Sequence, residues 1–505
     1  MSAASRWIEH LEKMNTFIIL FTHELRRLFR DPRLLLATVA VAALAATGTW
    51  LRAADYSTLS HEYRAEMSKN EAEILHTGEL NRLYDMTPPQ VPPEPMAVFH
   101  EGIPLVARNV GTTEASVHEA AFNANPLSQM FPSLDLTTVV IWVIGLVTLL
   151  MAAVALSGER ESGTFELLVT AGASSCHLVL AKWLAITVCS GAILACCMTT
   201  AWLAAVLSGL SFDHARISEF LLSSFASLLY LGSLAGLGVA LSSKACSRAR
   251  VMMSCAGLWM LISTILPSAV AHLLGEATRI PGFAQKRQQI EHILTNEREQ
   301  HLNGQIATVY HDDNAQLERY LKPAGYNAAK FRALPDQQID QVAGHLSAED
   351  AGFRSLWDQE QSRVLDVIQS VWTDYQGRAD SMEEQLRAQT ARQTRFVLAA
   401  TAFLPAVAYK ETVSRLLGMS YLDLAHAERS QKDYKIRTVD YIFTKARMIG
   451  GRDPFNAHVS LDDRPRFLFQ QRGAARRLLD ASPFLLVLLA WTAGLLLFAV
   501  KATSR

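Results

Sequence analysis

The chain has 505 residues, 50% of them hydrophobic and 19% charged, with a formal net charge of −1. That balance excludes a globally basic nucleic-acid binder and gives no reason to expect an acidic substrate. The apolar residues collect in a few long runs, which marks an integral membrane protein rather than one large soluble core.

Residues Trp7 to Arg33 place Ile8, Leu11, Phe17, Leu25, Leu28 and Phe29 among His23, Glu24, Arg26, Arg27 and Arg30. The pattern predicts an amphipathic surface helix within residues 1–33, a short soluble helix being the alternative. No cleavable signal peptide is expected there. Asp31-Pro32 opens the first span, because proline suits a first helical turn. That span covers 34–51, near the shortest useful length. Arg26, Arg27, Arg30 and Arg33 directly before it place the N-terminus in the cytoplasm.

Residues 52–135 are polar. Leu59, Tyr63, Met67 and Ile74 recur at helical spacing, so the first span is expected to continue outward as a helix. The run Pro88-Pro89-Gln90-Val91-Pro92-Pro93-Glu94-Pro95 predicts an extended strut, read as a rigid spacer in preference to a ligand for a proline-reading domain.

The second span covers 136–156, and a charged, amphipathic element follows at 157–177. The third span, 178–210, is longer than a bilayer needs and must tilt, bend or protrude. A turn at Ser211 to Arg216 leads to the fourth span, 217–241. The basic loop 242–250 precedes the fifth, 251–272, and alternation puts that loop inside, in agreement with the first arginine cluster.

Residues 273–482 form a second, larger outer segment. Trp357, Gln361, Val364, Ile368, Val371, Tyr375, Met382 and Leu386 keep 3–4 spacing, as do Phe283, Ile290, Leu294 and Leu302. A helical hairpin or small helical domain is expected, its heptads packed within the chain rather than on a partner. The apolar run Phe396 to Tyr409, interrupted by Pro405, is too short to span and reads as re-entrant, interfacial or buried in the domain. The last span, 483–500, ends in a cytoplasmic tail, 501–505. Arg472, Arg476 and Arg477 just outside it run against the positive-inside bias, which long translocated domains largely escape.

No residue type in these spans supports an ion-driven pump. The second to fifth spans hold no clearly deep ionisable residue; Lys182 and Glu219 lie near span ends and Asp135 at the outer start of the second. Nor is there a Gly-x-x-x-x-Gly-Lys-Ser/Thr loop: Gly158 to Thr164 has the glycine spacing, but Thr164 stands where lysine is required. Cys196-Cys197-Met198, Met252-Met253 and Cys255 read as ordinary helix fillers rather than a soft-metal path. The six cysteines all lie between Cys176 and Cys255, so neither long polar segment is held by disulfides. The histidines are scattered and no Ser/His/Asp signature appears, so the chain is expected not to be an enzyme.

The element at 157–177 is the remaining candidate. Glu159, Arg160, Glu161 and Glu166 can present charge to a partner, while Phe165, Leu167 and Leu168 can anchor a short helix at the membrane face. Thr164 would cap that helix, with Glu166 in its first turn. A solvated loop is the plain alternative.

The run Glu159-Arg160-Glu161-Ser162-Gly163-Thr164-Phe165-Glu166-Leu167-Leu168, followed by Ala181-Lys182, resembles the cytoplasmic loop of ABC-2-type transporter permeases. Glu24-Leu25-Arg26-Arg27-Leu28-Phe29-Arg30-Asp31-Pro32 resembles their elbow helix, and Leu266-Pro267 of the fifth span is also similar. The outer segment from Leu416-Leu417-Gly418-Met419 to Arg429 resembles permeases that carry a domain of unknown function. The core is similar to permeases of gliding-motility and nitrous-oxide-reductase maturation systems. Ser175-Cys176-His177 departs from relatives that carry a basic residue after the serine.

The resemblance implies an all-α integral membrane protein with six transmembrane helices of the ABC-2, type V exporter-like kind and two extracytoplasmic, mainly helical insertions. It implies a permease subunit of an ABC-type exporter in the bacterial cell membrane (the inner membrane of a Gram-negative cell), both termini cytoplasmic. ATP and Mg would be bound by separate ATPase subunits, with no cofactor and no metal in this chain. Glu159, Arg160, Gly163, Thr164, Phe165 and Glu166 would form the element coupling to the ATPase. The further partners implied are a second permease copy or a paralogous permease, membrane lipid and an envelope partner of the outer domain, and no nucleic acid. The competing reading is a membrane scaffold that organises an envelope complex without translocation.

Overall fold

A computed structural model describes residues 17–85, 90–102, 134–170, 174–244, 247–278, 283–450 and 453–503. Trp7, Ile8 and Leu11 of the expected surface helix, Pro88-Pro89 of the proline run, Cys246 of the basic loop and Arg505 lie outside them. Among the described residues there is no β-strand, and six helices are long and apolar enough to cross a membrane.

Helix α1 covers residues 17–29. The Asp31 carboxylate then accepts the Arg33 amide and Pro32 opens α2, Pro32–Thr77. Proline has no amide to leave unpaired in that turn. Helix α2 continues unbroken well past its apolar stretch, for about 70 Å at 1.5 Å per residue. The outward continuation is therefore helical, although of Leu59, Tyr63, Met67 and Ile74 only Ile74 is buried.

After α3, Leu80–Asp85, come α4, Leu136–Glu161, and the short α5, Thr164–Thr170. Then follow α6, Ser175–Leu207, α7, His214–Ser242, and α8, Arg248–Ala277. Helix α7 is central and packs against α4, α6 and the final span. Its small residues allow close approach: Gly238 lies so near Ala152 and the Leu149 carbonyl that an added Cβ would overlap both. Helix α2 packs on α6, and α8 on α4. Much of α8 has no neighbour within the chain, and Met252, Met253, Met260, Leu261, Ile265 and Leu273 are exposed.

The outer region is built from α9, in which Phe283–His292 runs through one wide turn, Ile293–Glu297, into Arg298–Leu321. Then come α10, Ala328–Arg332, α11, Asp336–Glu349, the long α12, Ala351–Thr401, α13, Pro405–Leu416, and α14, Tyr421–Ile449. The last span is α15, Ala474–Thr503. The stripe on α12 faces inward: Trp357, Gln361, Val364, Val371, Tyr375 and Leu386 are buried. Trp357 joins Phe331 and Phe353 in one apolar cluster, and Leu386 joins Ile290 of α9 in another. These heptad residues pack within the chain.

Two expectations change. The described part of the proline run is no spacer. Val91 and Glu94 are buried, Pro95–Val98 coils into a 3-10 turn, and Met96, Val98, Phe99 and His100 have at most 1% exposure. The Phe99 ring lies 5.8 Å from Trp202, 5.7 Å from Phe212 and 4.7 Å from Phe220. Burial of these large apolar side chains outweighs the extended preference of the prolines before them. The second change resolves Phe396 to Tyr409. Helix α12 ends at Thr401, the chain turns over, and α13 returns with Pro405 in its first turn. Tyr409 stacks on Tyr230 at 4.9 Å, halfway along α7, and the Trp491 indole of α15 donates to the Phe403 carbonyl. The turn thus sits level with the middle of the apolar helices, the re-entrant geometry of the three.

Candidate coupling site

Helix α4 does not stop at the end of its apolar run. Glu159, Arg160 and Glu161 form its last turn. Gly163 then reverses the chain at φ +74°, a left-handed conformation that glycine adopts without a Cβ clash. Helix α5 follows and buries none of its residues. Thr164 is its first residue rather than its cap: the hydroxyl lies 3.3 Å from the Glu159 carbonyl and 2.9 Å from the Ser162 hydroxyl, which closes the turn on itself. Phe165 and Leu168 lean on an apolar cluster shared with Leu20, Leu28 and Trp183, whereas Glu166 and Leu167 are exposed. The Arg160 guanidinium stacks 4.9 Å above the Phe165 ring.

Beneath this turn lies a buried lysine. Lys182 Nζ is 2.7 Å from Glu159 Oε1 and 3.1 Å from Glu24 Oε1, which ties α6 to both α4 and α1. A buried ammonium is tolerated only with such partners. Arg248, at the start of α8, donates its guanidinium to the Gly158 carbonyl and its amide to Glu161. All six residues predicted for coupling therefore gather at one end of the bundle, with α1, α6 and α8 around them. Glu159 turns inward to Lys182, and Glu166 is the carboxylate left facing out. Glu159 Oε2 and Arg160 Nε are buried without a hydrogen-bond partner among the described residues.

Sequence reasoning missed Glu24, Lys182 and Arg248 as parts of this site. One signal for Glu24 was available: it sits four residues from both Leu20 and Leu28, on the apolar stripe of α1. Lys182, two turns into α6 in a run of apolar residues, needed a counter-charge from somewhere.

The opposite end of the bundle holds a second ionic cluster. Glu219 accepts from Arg216 at 3.0 Å and from Arg477 at 2.8 Å, and Arg216 also meets Glu94 at 2.7 Å. Arg472 pairs with Asp480 and lies near Asp423. Two of the three arginines that ran against the charge bias are thus neutralised in place. Nearby, the Asp135 carboxylate accepts the amides of Glu101 at 3.0 Å and Thr138 at 2.7 Å, and lies 3.2 Å from His100 Nδ1. Burial pushes the Asp135 carboxyl up, but His100 and the two amides outweigh it and hold it well below the usual carboxylate range. His100 Nε2 is 2.7 Å from Ser414 Oγ, a Ser-His-Asp chain by distance. Ser414, however, donates its proton to the Lys410 carbonyl, and His100 is wholly buried. The trio fastens α13 to the start of α4 and offers a substrate no nucleophile.

The family model for the ABC-2 family transporter protein matches residues 18–322, about three-fifths of the chain. The matched region takes in α1, the first five spans, the turn with α5 and all of α9, and it stops before α12 and the last span. No curated protein matches the chain. With its apolar helices and the charged turn between the second and third of them, this multi-pass membrane protein belongs to the ABC-2 transporter permease family.

Proposed function

We propose that the chain is the permease subunit of an ABC-type exporter, driven by ATPase subunits on separate polypeptides that bind the ATP and Mg. It sits in the bacterial cell membrane, the inner one of a Gram-negative cell, with both termini in the cytoplasm. Helix α5 carries this reading. It is a short helix that buries nothing of its own, slung between two spans on a glycine turn and backed by an ion pair that reaches both. An ATPase cleft would cover Glu166 and Leu167. Closure of the ATPase pair would displace α5, and the Arg160–Phe165 and Glu159–Lys182 contacts would pass that displacement to α4 and α6. The exposed face of α8 favours a second permease, identical or paralogous, with lipid over the remaining apolar surface.

The test is to express the chain with the ATPase encoded beside it and to compare the wild type with Glu166→Lys/Leu167→Asp. Neither residue is buried, so thermal stability should hold. Copurification of the ATPase and permease-stimulated ATP hydrolysis should fall at least tenfold. Unaltered copurification and hydrolysis would count decisively against coupling through α5. A chain that brings down only envelope proteins would favour the scaffold.

A further inference from the structure

The outer region holds a cavity of about 310 Å³ between α3, α9, α12 and α14, within the size range of small-molecule sites. Leu302, Ile368, Val371, Ile442 and Phe443 form its walls, and Phe455 closes one side, its ring 5.8 Å from Phe443. This apolar chamber has one polar corner. Tyr84 and Arg298 stand there, with the Trp372 indole 3.5 Å from the Tyr84 hydroxyl. Burial pushes the Tyr84 phenol up, but the Trp372 indole N–H and the charges of Lys435 and Arg298 outweigh it and hold it below its ordinary value. Two cations therefore converge on one edge of an otherwise greasy space. Among the described residues neither is engaged in an ion pair.

We propose that this cavity binds a single-chain anionic amphiphile, its acyl chain along the apolar walls and its anionic head at Arg298 and Lys435. An apolar body with one charge matches the lining better than a sugar or nucleotide, whose many hydroxyls would find no partners on these walls. The site lies beyond the end of α2, which itself runs on for about 40 Å after the last apolar residue of the first span. The ligand therefore arrives from the aqueous side and not by sliding sideways out of the bilayer. The inference goes beyond the coupling reading and does not depend on it.

The full-length chain in phosphatidylcholine nanodiscs can be photolabelled with diazirine-bearing dodecanoic acid, and with the corresponding dodecanol, before peptide mapping. Saturable adducts with the acid are expected on peptides carrying Ile368 to Trp372 or Val439 to Phe443, displaced by unlabelled dodecanoate. Leu302→Trp, which fills the chamber, should abolish them. Arg298→Gln/Lys435→Gln leaves the apolar walls alone and should raise the acid concentration for half-labelling at least tenfold, with labelling by the alcohol unchanged. Adducts confined to the spans, labelling that survives Leu302→Trp, or an equal effect of the charge variant on acid and alcohol would overturn the proposal. So would a chamber that takes up neither probe.

Discussion

Lys182 Nζ lies 2.7 Å from Glu159 Oε1, and the lysine is 3% exposed. The pair joins the second span to the third at the end where the chain reverses into α5. With Glu24 on the other side of the ammonium, three helices meet at one charge. Lys182→Met would leave two carboxylates facing each other in a desolvated site, and removing one member of such a set costs about 3–5 kcal/mol. The unfolding temperature of the solubilised protein should drop sharply, and adding Glu159→Gln should recover part of the loss. Strict additivity of the two substitutions would show that they are not coupled.

Gly163→Ala isolates the turn from the bundle. Nothing lies within 4 Å of an added Cβ, so the cost is backbone alone, about 1–2 kcal/mol for a left-handed residue. That cost falls on an exposed segment. Stimulated ATP hydrolysis should decline several-fold while the global unfolding temperature stays within a degree or two of wild type.

Gly418→Ala probes the other end. Gly418 is at φ +71°, and an added Cβ would run into the guanidinium of Arg477. Arg477 is itself buried against Glu219 and cannot retreat without breaking that pair. The variant should lose about 3 kcal/mol or more, backbone penalty and disturbed ion pair together. Thermal unfolding measures it. Gly257→Ala in α8, where an added Cβ meets nothing, is the neutral control.

Asp135 sets a pH dependence. Its folded pKa is depressed, so its contribution is complete above the unfolded carboxylate value, about 3.9. The contribution is lost only as pH falls toward the lower folded value. Asp135→Asn removes the charge from three hydrogen bonds and should destabilise the protein by about 2 kcal/mol at neutral pH. The gap between wild type and variant should be flat from pH 8 to about pH 5 and should close below about pH 4. A gap that narrows already between pH 7 and 6 would assign the effect to another group.

The long apolar runs, the Asp31-Pro32 helix start and the glycine reversal before α5 were legible because each depends on neighbours in sequence. So was the inward stripe of α12, which repeats often enough to declare its period. What escaped was long-range. Glu24 and Lys182 are 158 positions apart, and neither one's surroundings name the other. The proline run misled for a related reason. Local preference asked for an extended rod, but Met96, Val98 and Phe99 found an aromatic pocket between Trp202 and Phe220, and burial prevailed. Pro405 read as an interruption of an apolar run, whereas it opens the helix that climbs back out.

Helix α2 is one uninterrupted rod, and its base lies next to the α1 elbow that Glu24 pins to Lys182. Over a lever of about 70 Å, a rocking of about 5° at the base sweeps the tip through about 6 Å. Ile74, near that tip, is packed with Leu80, Leu365 and Ile442. A stroke delivered at the inner surface would thus be amplified and felt in the outer domain, and that domain would swing with the first span like the head of a metronome.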